Sequence, residues 1–297
     1  MALRFIEESP NSGVDDTVGP TPLMIVPLKG TNRILLIDGE GLDVVPENPK
    51  MLKVTKVKGF VRKDLSNPTM WEIKSLALPG TFMVQVRQGT TVVKKLSVFV
   101  LDQRVVRLAV RPLQTAKGVF HAKVVPDPVA FVDDMNDIWN DQANVQINLV
   151  STKPLLIDDP PDEIAREIGA FEADGFTLDE TKGVFKVSIQ LLDNPPLRSF
   201  APVFLSHLES DPIKNADFTL IVVHAIAAFL GTNGLTDPSK KFATLAEYAG
   251  GRDWAHELGH HLGAGDSRVS DALMVSGGTG WKISVQDVLD VFNPLKP

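Results

Sequence analysis

From Thr31 to about Val110 apolar and polar positions alternate with a period of two. Phe82, Val84 and Val86 interleave with Met83, Gln85 and Arg87, and Leu96, Val98 and Val100 follow a Gln88-Gly89-Thr90 turn. Residues 34–37, 52–57, 71–73 and 105–110 carry further short apolar runs, separated by Asp38-Gly39, Asn67-Pro68 and Pro79-Gly80. A period of two puts every other side chain on the same face of a strand. Short strands joined by such turns predict an antiparallel β-sandwich over residues 21–112. Residues 1–20, rich in Pro, Gly, Ser and Asp, read as a loose lead-in, and 113–126 as a linker able to add a strand.

Beyond residue 126 the pattern changes, and 127–297 reads as an α+β domain. Asp127-Pro128 is a helix start, with Asp as cap and Pro in the first turn. Phe131, Val132, Met135, Ile138, Trp139 and Ala143 follow it at helical spacing. Residues 145–150, 185–192 and 218–223 read as strands, the last apolar enough to be buried on both faces. A shorter helix is predicted over 161–173. Residues 230–251 read as a Gly-rich loop with a helical piece near 242–248. Another helix starts around 251–253, and Ser284-Val-Gln-Asp287 has the capping pattern of a closing helix that runs to about Phe292.

The helix that starts near 251 carries the chemistry. It reads Trp254-Ala255-His256-Glu257-Leu258-Gly259-His260-His261-Leu262-Gly263-Ala264-Gly265-Asp266. Residues four apart on a helix are separated by about 40° around the axis, so His256 and His260 point the same way and can share one metal ion. Glu257 lies beside them, where it can act as general base toward a metal-activated water. A catalytic zinc takes three protein ligands. Gly263 can end the helix in the left-handed conformation, after which Asp266 can bring a carboxylate back as the third. His261 points about 100° away from His260 and is expected to pack within the domain. Asp271 is a second candidate for the third ligand, disfavoured by the position of the Gly263 turn. His224, at the end of an apolar strand, reads as a core or cleft-edge residue. His121 and His207 carry no spacing signal.

His256, Glu257, His260, Gly263 and Asp266 resemble the extended signature of the metzincin clan of zinc peptidases, in the version with Asp in place of the third His. Ala272-Leu273-Met274-Val275-Ser276-Gly277 resembles that clan's Met-turn. The resemblance covers roughly residues 126–297. It implies Zn2+ as the metal, Met274 as a support residue under it and a substrate cleft along the zinc helix. The Tyr that some members place just after the Met is missing, since the only Tyr is Tyr248. The Pro79-Gly80-Thr81-Phe82-x-Val84-x-Val86 hairpin is similar to bacterial Ig-like modules. The expected architecture is therefore an N-terminal Ig-like all-β sandwich followed by a metzincin-like metallopeptidase domain. The expected activity is that of a zinc endopeptidase acting on a protein or peptide substrate. A zinc amidase acting on cell-wall peptides and a non-catalytic adhesion module with structural zinc are the alternatives.

Composition narrows the setting. The chain holds 30 Lys and Arg against 37 Asp and Glu, for a net charge of −7, and no Cys. Disulfides, thiolate ligands and a Cys nucleophile are excluded, and no Gly-x-Ser-x-Gly elbow occurs. The acidic balance argues against nucleic acid as a partner. No run reaches the length of a membrane span, and the start lacks the apolar core of a signal peptide. The expected settings are a cytosolic protease or part of a larger bacterial effector or toxin delivered by a dedicated machine.

Overall fold

The computed structural model describes residues 3–8, 13–15, 21–115, 121–122, 127–158, 177–179, 184–186, 202–224, 234–236, 241–268, 272–276 and 278–292. Two compact units emerge. The first comprises Met1–Val105, Asn136–Gln146 and Trp281–Leu289, and the second comprises Val106–Met135, Ile147–Gly280 and Asp290–Pro297.

Ten strands open the chain: β1 (Arg4–Glu7), β2 (Val14–Asp15), β3 (Leu23–Pro27), β4 (Thr31–Ile37), β5 (Asp43–Pro46), β6 (Leu52–Lys56), β7 (Thr69–Ser75), β8 (Gly80–Gln88), β9 (Thr91–Leu101) and β10 (Arg104–Thr115). The first nine form a four-stranded sheet, β1-β4-β7-β6, and a five-stranded sheet, β2-β3-β9-β8-β5. Ile34, Leu36 and Ile73 of one sheet share a single hydrophobic cluster with Val26, Val84 and Val98 of the other. The period-two pattern explains this, since each strand offers one apolar face to that layer. The pairing is not uniformly antiparallel: β3 runs parallel to β9. Parallel neighbours need a long crossover, and strands β4 to β8 supply it.

Strand β10 runs unbroken through residue 112, where a domain boundary was expected, and from Val106 it belongs to the second unit. Its ladder partners explain the change. β10 pairs in parallel with β12 (Leu155–Ile157) and β15 (Phe218–Val223), so residues 113–115 add to this sheet, as the segment from 113 was expected to be able to do. The third sheet has the order β11-β10-β15-β17-β16, with β12 beside β10. In it β11 is Val145–Ser151, β16 is Gly234–Thr236 and β17 is Phe242–Ala246. β15 is buried at all six positions, consistent with a strand covered on both faces. A separate hairpin pairs β13 (Thr177–Asp179) with β14 (Val184–Lys186). The helix expected over 161–173 and most of the strand expected over 185–192 lie outside the described residues.

Helix α1 (Pro128–Ala143) starts where its cap predicts: the Asp127 carboxylate accepts the Val129 N–H at 2.9 Å. Helix α2 is Pro202–Ser210, α3 is Gly251–Leu262 and α4 is Val285–Val291. Ser284 and Asp287 cap α4 reciprocally, the Asp287 N–H donating to Ser284 Oγ at 3.2 Å and the Ser284 N–H to Asp287 Oδ2 at 2.9 Å. The helical piece expected near 242–248 is instead strand β17, parallel to β15 and antiparallel to β16. Its five residues are all buried, and two ladder neighbours override the helical propensity of its Ala and Leu residues.

Arg111 of β10 is fully buried within the second unit. Its guanidinium donates to the carbonyls of Lys153 (3.1 Å), Pro154 (2.9 Å) and Asp211 (2.8 Å) and to the Asp211 carboxylate (2.7 Å). Arg111→Ala takes the guanidinium from three carbonyls, while the Asp211 carboxylate keeps Lys153 Nζ at 2.6 Å. It is expected to cost about 3 kcal/mol, read as a fall in melting temperature of about 10 °C.

Candidate metal centre

Helix α3 packs against β16 and β17. Its first turn is capped by the Asp253 carboxylate, which accepts the Gly250 N–H at 3.1 Å. Its last turn closes on Gly263, whose φ of 105° is left-handed. The Ala264 N–H reaches back to the Gly259 carbonyl at 2.9 Å, the Schellman closure that a Gly at this position allows. The chain therefore reverses three residues past His260 and carries Asp266 back toward the helix.

His256, His260 and Asp266 form a group that can hold a metal ion, with one potential ligand atom from each within 4.8 Å of the others. The two Nε2 atoms are 3.1 Å apart, and Asp266 Oδ1 lies 3.6 Å from that of His260 and 3.8 Å from that of His256. Tetrahedral ligands about 2.0–2.1 Å from one ion stand roughly 3.3 Å from each other, so the donor set is sized for a single small cation. The tautomers agree. His256 Nδ1 faces the Leu273 carbonyl at 2.9 Å and His260 Nδ1 faces the Ala264 carbonyl at 3.1 Å. A carbonyl only accepts, so each Nδ1 carries a hydrogen and each ring turns its Nε2 toward the other, the nitrogen left to serve as a ligand. Two ring nitrogens at that separation can share one cation. Burial, the largest influence on His256, pushes its pKa below the ordinary value and keeps that ring neutral. Asp266 leaves 63 % of its side chain exposed, so the third candidate ligand sits on the open side of the group.

Glu257 faces away from solvent, 5 % exposed. Burial pushes its pKa up to about 7, a rise opposed by a hydrogen bond from Thr236. The Thr236 hydroxyl donates to Oε2 at 2.5 Å. Gly234 of the same strand lies so near that a Cβ there would meet Oε1 at 2.6 Å. Strand β16 thus clasps the carboxyl group. The sequence reading missed both residues, because β16 lies about 20 residues before Glu257 and no local pattern joins them.

Arg252, one turn before His256, was missed as well. Its guanidinium donates to the carbonyls of Leu273 (2.7 Å), Val275 (2.7 Å) and Gly280 (2.9 Å). Leu273 O is also the acceptor for His256, so Arg252 fixes the segment that orients the first histidine. Met274 is fully buried in that segment, and its carbonyl accepts the Ser267 N–H at 2.7 Å. The turn that holds Met274 is thereby tied to the residue following Asp266.

The other candidates fall elsewhere. The His261 ring stacks on Phe218, with centroids 4.3 Å apart. His224 Nδ1 faces Glu247 Oε1 at 2.8 Å. Asp271 lies outside the described residues, and among those described neither His121 nor His207 joins a metal-binding group.

The raised Glu257 pKa has a consequence for stability. A carboxyl group whose pKa rises from 4.5 unfolded to about 7 folded stabilises the protein below pH 4.5. That contribution is lost as the pH climbs through 7, because over this window the native state binds more protons than the unfolded one. Two and a half units correspond to about 3 kcal/mol. In chelator, the wild-type melting temperature is expected to drop by about 10 °C between pH 5 and pH 8. Glu257→Gln should remove most of that drop, and equal drops in both proteins would count against the buried charge.

No protein-family model matches this chain, and no curated protein sequence matches it. Among solved structures it is similar to metalloproteinase-II from Bacteroides fragilis, with a TM-score of 0.35 and 9% sequence identity over 90% of this chain and 84% of that one.

Proposed function

We propose that the chain is a zinc-dependent endopeptidase of metzincin type, its catalytic domain preceded by an Ig-like sandwich. The observation that carries this reading is the pair of Nε2 atoms converging at 3.1 Å beside Asp266, with a buried carboxyl next in the chain to the first of them. His256, His260 and Asp266 would hold the ion. Two imidazoles and one carboxylate, with no thiolate, suit zinc in a catalytic setting. When bound, zinc supplies Lewis acidity and makes a water acidic enough to attack near neutral pH.

The chain's own residues supply the rest. Leu273 and Ala264 fix the two imidazole tautomers through their carbonyls. Thr236 holds Glu257 Oε2, which leaves Oε1 to take a proton from the attacking water and pass it to the leaving amine. A pKa near 7 suits both halves of that exchange. A structural metal site has no use for such a base, which favours catalysis over an adhesion role. β16 is the terminal strand of its sheet among the described residues and touches Glu257. An extended peptide paired along such an edge passes close to the proton carrier, which favours a polypeptide substrate.

Digestion of casein and of peptidoglycan fragments tests the reading. The zinc-loaded chain is expected to cleave casein, to stop in chelator and to recover when zinc is restored. Cleavage of peptidoglycan peptides alone would make it an amidase. Stoichiometric zinc with neither substrate cleaved would leave a binding module.

A further inference from the structure

The first unit concentrates positive charge in one place. Residues 1–105 hold 14 Lys and Arg against 11 Asp and Glu, whereas the remaining residues hold 16 against 26. Six of those 14 cations fall within residues 50–63, a stretch without a single carboxylate. Strand β6 and the segments on either side of it display them. Lys50, Lys53, Lys56, Lys58 and Lys63 are all exposed, and none has an ion pair among the described residues. Arg62 alone is neutralised, by Asp64 at 3.2 Å.

The register sharpens the point. Lys53 stands directly opposite the exposed Lys74 of β7, and like charges facing across a ladder are destabilising. β6 is the edge of its sheet, and lysines commonly blunt an edge against pairing. That role does not account for residues 57–63, which lie past the ladder and form no strand. This segment also raises an apolar tip. Val61 is 77% exposed, and the half-buried Phe60 precedes it. Lys56, Lys58, Val57 and Phe60 line a hollow of about 460 Å³ in which Glu40 is the single acidic group.

We propose that residues 50–63 dock this unit on an anionic phospholipid surface. The lysines lie against the headgroups, where each cation is drawn by the negative surface potential. Val61 and Phe60 enter the interface and leave water. Nucleic acid would satisfy the lysines but would leave Val61 in solvent, so the apolar tip decides for lipid. The contact is peripheral: no helix among the described residues is long and apolar enough to cross a membrane.

Co-sedimentation of the full chain with vesicles tests this. Binding is expected to vesicles of phosphatidylcholine containing about one-third phosphatidylserine and not to phosphatidylcholine alone, and to weaken as salt rises. Replacing Lys56, Lys58 and Lys63 by Gln should lower the partition coefficient on the order of a hundredfold, at about fivefold for each cation. Val61→Ser should lower it several-fold with the salt dependence unchanged. All four side chains are exposed, so both variants should melt like the wild type. Phosphatidylserine-independent binding, no binding, or equal binding by the triple variant overturns the proposal. Retention on duplex DNA without retention on vesicles overturns it in favour of nucleic acid.

Discussion

Glu257→Gln is expected to leave zinc bound and to slow peptide hydrolysis by about 10³-fold, within the range a general base contributes. The substitution keeps the shape of the side chain, and the amide can still meet the Thr236 hydroxyl at the position of Oε2. It removes only the ability to take a proton. The effect should therefore fall on kcat and leave KM nearly unchanged, with zinc content at one equivalent by atomic absorption. A variant that cleaves casein at the wild-type rate would take the proton-carrier role away from Glu257. One that loses both zinc and activity would make Glu257 a structural support of the site. Because the carboxyl sits in the clasp of Thr236 and Gly234, Gly234→Ala should displace it and imitate part of the loss. Thr236→Ser should retain activity, since the hydroxyl is kept.

The ligand variants carry the second large effect. His256→Ala, His260→Ala and Asp266→Ala should each weaken zinc affinity by about 10²–10³-fold, as apportioned from the binding free energy of a zinc site among its ligands. His261→Ala should keep the wild-type affinity, because that ring stacks on Phe218 and does not join the group. It should instead lower the melting temperature through lost packing. Competition against a chromophoric chelator measures the affinities directly. Asp266 is the informative member, since most of its side chain is exposed. If Asp266→Ala binds zinc as tightly as the wild type, the third ligand lies elsewhere and the open side of the site must be redrawn.

Much of this was legible in the chain because the deciding relations are local. His256, Glu257 and His260 share one helix, so spacing alone fixes their mutual directions. Gly263 stands three residues on, where a helix end needs the left-handed conformation it adopts. Strand β9 of the first unit shows its period because it has a single buried face. Strand β17 was misread for the opposite reason. Phe-Ala-Thr-Leu-Ala has good helix formers and no alternation, and it is a strand only because β15 and β16 flank it.

The sequence by itself determined which side chains make up the candidate metal group and in what order they lie along the chain. Only the tertiary structure decided what holds them. The Leu273 carbonyl on His256, the Arg252 clamp on that same carbonyl and the Thr236 hydroxyl on Glu257 join residues some 17 to 21 positions apart. No periodicity reaches across such a gap. Those contacts exist because burial forces each polar group to find a partner, and which partner is near is settled by the packing of strand on helix.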